Sequence, residues 1–120
     1  MKLYFDQDYL ADLYTKVLLN DLEPFLPTHP GEVLKDELEF RGISQRRLAS
    51  DIGVSPSLVN EVLNAKRSLN PELALLIGAA LGLDPAPLLA LQADYDLIMA
   101  KRDQSLMNRL SSISKIAAAF

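Results

Sequence analysis

Gly53-Val54-Ser55-Pro56 constrains this chain more than any other four residues. A glycine tolerates the left-handed turn that closes a helix, and a hydroxyl followed by proline caps and opens the next one. One helix therefore ends at Gly53 and another begins at Pro56. Upstream, Ser44 is placed to N-cap a short helix whose apolar Leu48, Ala49 and Ile52 recur at three and four, so that one stripe faces a core. Val54 plugs the turn. Downstream, Val59, Val62 and Leu63 share a face, leaving Ser57, Asn60, Glu61 and Asn64 on the polar side.

The second helix starts abruptly, with its N-terminus exposed. Pro56, Ser57 and Asn60 lie nearest that end, where short hydroxyl and amide side chains reach base edges and free backbone amides favour phosphates. An ordinary bundle of two antiparallel helices would share the polar caps. The combined spacing of Gln45, Ala49, Gly53, Ser55-Pro56 and Val59 instead matches a helix-turn-helix at every position.

The flanks repeat the same punctuation. Thr28-His29-Pro30-Gly31-Glu32 opens a helix with proline in its first turn and a carboxylate near its positive end, and Val33, Leu34, Leu38 and Phe40 supply its expected inner stripe. Arg41-Gly42 ends it. Asn70-Pro71-Glu72 opens another helix, running through Leu73, Leu76, Ile77 and Leu81 to Gly82. Asp84-Pro85 opens a third, with Leu88, Leu89, Leu91, Tyr95 and Ile98 as the expected buried set. The expectation is all-α: five helices from Pro30 to about Arg102, with N- and C-terminal helical extensions. An amphipathic, acidic arm over 1–27 precedes a helix-turn-helix DNA-binding domain over 28–102, and an extension follows over 103–120.

Composition narrows the function classes. A chain of 120 residues builds one compact domain with extensions, and 49% apolar against 23% charged residues marks it as folded. There is no cysteine, which excludes disulfides and thiolate metal sites. No apolar run approaches the roughly 18 residues of a membrane span, and the acidic start lacks the zones of a signal peptide, so a cytoplasmic location is expected. A single histidine beside a proline at a helix start reads as a cap, and Asp94 and Asp96 diverge on their helix. With no phosphate loop or nucleophile elbow either, no enzyme, cofactor or metal is expected.

The formal charge of −4 opposes DNA binding, but its distribution matters more. Residues 1–27 set Lys2 and Lys16 against Asp6, Asp8, Asp12, Asp21 and Glu23, a net of −3. Between Ser44 and Arg67, Arg46, Arg47, Lys66 and Arg67 outnumber Asp51 and Glu61, a net of +2 on the face that would meet DNA. So few phosphate contacts per copy imply a dimer on half-sites about one helical turn, roughly 34 Å, apart.

The runs Thr28-His29-Pro30-Gly31-Glu32-Val33-Leu34, Gly42-Ile43-Ser44-Gln45, Gly53-Val54-Ser55-Pro56-Ser57, Leu63-Asn64-Ala65-Lys66-Arg67 and Leu91-Gln92-Ala93-Asp94-Tyr95-Asp96-Leu97 together resemble the HigA antitoxins, within the Xre/Cro (phage-repressor-like) helix-turn-helix group. The likeness runs from residue 28 to about 118. It implies a homodimer that represses its own operon at a double-stranded DNA operator and neutralises a small basic HigB-type toxin, an mRNA-cleaving endoribonuclease. By similarity, Gln45 fixes the protein to a phosphate, Pro56, Ser57, Asn60 and Glu61 lie against bases, and Lys66 and Arg67 contact backbone or a flanking base. Arg46, Arg47, Ser55 and Asn64 complete the candidate DNA-binding set.

Three departures from the family pattern leave alternatives open. Glu61 stands where relatives carry a neutral or basic residue, and either repels phosphate or accepts from a cytosine amino group. Ala65 replaces the usual glycine, so either a left-handed residue costs about 1 kcal/mol or the loop differs. Leu58 replaces a polar residue, and either touches a thymine methyl or covers neighbouring side chains.

Tyr9, Leu10, Leu13, Tyr14, Val17 and Leu18 recur at helical spacing in the arm. That helix docks a basic toxin through Tyr9, Leu13 and Val17, or folds back on its own domain, or else the arm is disordered. Leu106, Leu110, Ile113, Ala117 and Phe120 form a narrow stripe that packs within the chain or between two copies. Gln92, Tyr95 and Met99 are candidate dimer-interface residues. A free-standing regulator without a toxin, and an interaction module with the helix-turn-helix as scaffold, are the competing readings.

Overall fold

The computed structural model describes residues 27–118. The described residues form six α-helices: α1 (Pro30–Arg41), α2 (Gln45–Ile52), α3 (Pro56–Leu63), α4 (Pro71–Leu81), α5 (Pro85–Lys101) and α6 (Gln104–Ala118). None of them is long and apolar enough to cross a membrane. The arm, with Tyr9, Leu13 and Val17, and the final Phe120 of the C-terminal stripe lie outside the described residues.

Each of the first five helices starts where a short polar side chain accepts an orphan amide. His29 accepts from Gly31, Ser44 from Arg47, Ser55 from Leu58, Asn70 from Leu73 and Asp84 from Ala86. Such bonds replace water at a helix start, and losing one costs about 1 kcal/mol. Gly42, Gly53 and Gly82 close α1, α2 and α4 with φ near +70°, a conformation that costs glycine little.

Leu34, Leu38, Leu48, Ala49, Val59, Val62, Leu63, Leu69, Leu73, Ala74, Ile77, Leu81 and Leu88 form one buried core fed by α1 to α5. The expected stripe of α1 is corrected at two positions: Phe40 is 88% exposed and Val33 41%, while Leu34 and Leu38, with Pro30 and Gly31, carry the inward face. The reason is geometric, since Phe40 lies two residues beyond Leu38 and so about 200° round the helix. On α5, Leu88 is buried, whereas Leu89, Leu91, Tyr95 and Ile98 are only partly covered.

Two close approaches set the domain's geometry. A Cβ on Gly31 would stand 1.9 Å from the Val62 carbonyl oxygen, so the first turn of α1 lies against the end of α3 at a distance only glycine permits. The Arg41 guanidinium donates to the Leu81 carbonyl at 2.6 Å and pairs with Glu37 at 2.7 Å, tying the end of α1 to the end of α4. Beyond the break at Arg102 and Asp103, α6 leaves Leu110, Ile113 and Ile116 largely exposed.

Candidate nucleic-acid interface

The turn Gly53–Ser55 sets α3 across α2, and the Ser55 hydroxyl occupies the cap so that Pro56 and Ser57 begin the helix exposed. Gln45, Arg46, Pro56, Ser57, Asn60 and Glu61 line one open depression of about 420 Å³ on this face. The sequence-predicted readers of α2 and α3 are thus brought together. Leu58 turns the other way and packs against the core, which settles it as a covering residue.

The polar groups of this face are organised by one another. Asn60 Nδ2 donates to Gln45 Oε1 at 3.0 Å, linking the middle of α3 to the start of α2. Arg67 Nε donates to Glu61 Oε2 at 2.7 Å, so the carboxylate is already met by a guanidinium of its own chain. Arg47 pairs more loosely with Asp51 at 3.6 Å. Both members of each pair remain largely exposed, so these contacts orient side chains more than they stabilise the fold.

Asn64 is placed differently from the other candidates. Its Nδ2 donates to the Asn60 carbonyl at 2.8 Å and its Oδ1 accepts from Lys35 Nζ at 3.3 Å, so the amide closes α3 and reaches back to α1. Ala65 follows at φ 60°, the left-handed conformation itself, with its N–H donating to the Val62 carbonyl and that of Lys66 to the Glu61 carbonyl. The loop therefore keeps the path a glycine would give, at a cost of about 1 kcal/mol.

Behind the face lies a buried polar cluster. His29, 1% exposed, accepts from the Gly31 amide through Nδ1 at 2.9 Å and meets the Tyr95 ring edge-on at 4.8 Å. Burial pushes its imidazole below the ordinary histidine range, with Asp96, Glu32 and the Arg67 carbonyl pulling the other way. Gln92, 5% exposed, accepts from the Leu69 amide at 2.7 Å and donates to Asp96 at 2.9 Å. Gln92 is thus occupied within its own chain, whereas Met99 is exposed and Tyr95 half-buried. In the sequence His29 reads as a cap and Gln92 and Tyr95 as interface candidates, with nothing local to bring them together. The two runs that contain them, His29–Leu34 and Leu91–Leu97, are the available signal.

Comparison with known proteins places this geometry. A family model described as helix-turn-helix matches residues 34–88. Virulence-associated protein I of Dichelobacter nodosus is 37% identical over 87 residues, 72% of this chain and 81% of that protein. The chain belongs to the Xre-type helix-turn-helix family. Among solved structures it is similar to an addiction module antidote protein of the HigA family from Coxiella burnetii, at 34% identity and a TM-score of 0.61 over 76% of this chain and 95% of that one. It is also similar to the Pseudomonas aeruginosa antitoxin HigA with the higBA promoter, at 33% identity and a TM-score of 0.59 over 62% of this chain and 82% of that one. Within the Xre-type family, the chain is an antitoxin-like helix-turn-helix protein.

Proposed function

We propose that this protein is an antitoxin and autorepressor that binds operator DNA as a homodimer through α3 and neutralises a HigB-type mRNA-cleaving toxin by direct binding. The observation that carries the DNA half is the exposed start of α3: Ser57 and Asn60 stand beside Gln45 and Arg46 at the open end of a helix. Hydroxyl and amide groups there read base edges, and the helix N-terminus and Arg46 hold phosphates.

The charge balance supports a dimer. With +2 on the face, one copy releases few counterions and binds weakly, while two copies joined across half-sites add their contacts. A promoter-bound HigA among the similar structures supports the operator reading, and the HigA-family antidote protein supports the antitoxin half.

Activity by binding, without catalysis, fits the state of the histidine. Its Nδ1 is engaged at a helix cap and the ring is buried, so it has no access to a substrate. Co-expression with a basic protein of about 100 residues encoded next to the gene, the size expected from the family resemblance, tests the antitoxin half. Relief of growth arrest together with co-purification supports it; arrest unchanged by this chain overturns it.

A further inference from the structure

The loop from Asn64 to Asn70 carries Lys66 and Arg67, two of the four cations on the DNA face, yet its backbone leaves the helical ladder at Ala65. Its ordering therefore depends on what grips it. Two buried side chains, from distant parts of the sequence, hold its backbone from behind.

Gln92 on α5 accepts from the Leu69 N–H at 2.7 Å, and its own amide is fixed by donating to Asp96 at 2.9 Å. His29, the cap of α1, uses Nδ1 to accept from Gly31, and the same imidazole lies against the Arg67 backbone. Tyr95 packs edge-on against that ring, so the His29 and Gln92 grips share one helix as support. In front, Glu61 holds the Arg67 side chain at 2.7 Å. The loop is thus held at the Arg67 guanidinium and, two residues on, at the Leu69 amide, with the His29 imidazole against the Arg67 backbone between them.

Resting on the operator-binding reading above, we propose that His29 and Gln92 are positioning residues for DNA binding, which preset the Asn64–Leu69 loop so that Lys66 and Arg67 meet the phosphate backbone without a cost of ordering. Neither touches DNA. A loop already in its bound shape gives up less conformational entropy on association, and that saving appears as affinity. The grip also explains why the His29–Leu34 and Leu91–Leu97 runs occur together in one chain: they meet behind the same loop.

The test is a double-mutant cycle on the full chain. Gln92→Leu removes the acceptor, Arg67→Ala removes the guanidinium, and His29→Asn keeps a capping side chain that is too short to reach the Arg67 backbone. Binding to a duplex carrying the DNA upstream of the gene is measured by fluorescence anisotropy, at a temperature where circular dichroism shows each variant folded. Gln92→Leu is expected to weaken binding about tenfold, His29→Asn severalfold, and both to lower the slope of log affinity against log salt, which a purely structural role would leave unchanged. On the Arg67→Ala background, Gln92→Leu is expected to cost less than about threefold more.

Losses that multiply, or wild-type affinity in folded Gln92→Leu and His29→Asn, overturn the positioning role. If Gln92→Leu fails to fold, His29→Asn with Arg67→Ala forms the same cycle and decides by the same criterion. Wild-type protein that does not distinguish this duplex from a random one overturns the operator reading itself, and the positioning role with it. Failure of the positioning role alone leaves wild-type binding intact, so the two are distinguished.

Discussion

Asn60 donates its side-chain amide to Gln45 Oε1 at 3.0 Å across the turn of the motif, so the first residue of α2 and the middle of α3 form one joined polar unit on the candidate interface. Groups joined in this way give non-additive losses when cut. Asn60→Ala is expected to weaken operator binding by about 1 to 3 kcal/mol while leaving random DNA nearly unaffected. Adding Gln45→Ala is expected to cost less than its single effect, since the partner it orients is already gone. Titration of the four proteins against both duplexes checks this.

Arg46 lines the same depression without a carboxylate partner among the described residues. Its guanidinium is therefore available to a phosphate. Arg46→Ala is expected to weaken specific and random binding together and to lower the salt slope by about one for each phosphate the guanidinium neutralises, or about two for a dimer. Titrations at several salt concentrations read this directly.

Much of the fold is legible in the sequence because its signals are local. The caps at Ser44, Ser55, Asn70 and Asp84 each accept an amide two or three residues on, and the glycine closures need only one left-handed residue. The face of α1 is less legible at Val33, which is apolar and only one position from the buried Leu34, whereas the two-residue step from Leu38 already sets Phe40 on the far side. The Gln92 to Leu69 bond spans 23 residues and follows from no local pattern. Ser57, Asn60 and Gln45 are legible as a site because the motif fixes their spacing, whereas the pairing of Glu61 with Arg67 depends on a loop conformation that the alanine at 65 leaves open.

Gly31 approaches the Val62 carbonyl more closely than any side chain allows. Gly31→Ala must push α1 away from the end of α3, and overpacking of this kind costs about 1 to 3 kcal/mol. Chemical denaturation is expected to show a lower midpoint with an unchanged slope.

Ala65 sits at φ 60°. Ala65→Gly relieves the left-handed strain and loosens the unfolded chain, two effects of opposite sign that are expected to leave a net gain of about 1 kcal/mol or less. The same denaturation measurement checks the sign.

The buried imidazole of His29 has its pKa lowered by desolvation, against the opposing pull of Asp96, Glu32 and the Arg67 carbonyl. The unfolded chain then binds the proton more readily than the folded one, so the contribution is complete above the ordinary value of about 6.5 and is lost as pH falls from there through the folded pKa. The chain has one histidine, and His29→Asn is expected to flatten the change in denaturation midpoint between about pH 7.5 and 5.5.

The most direct measurement of the central claim is the affinity of the full chain for the DNA upstream of its own gene against a random duplex of equal length, with Ser57→Ala alongside. A preference of at least about 1,000-fold for the upstream DNA, steep salt dependence, and a loss in Ser57→Ala confined to that duplex are the expected results. Equal affinity for both duplexes, or a Ser57→Ala loss of the same size on each, would contradict that claim.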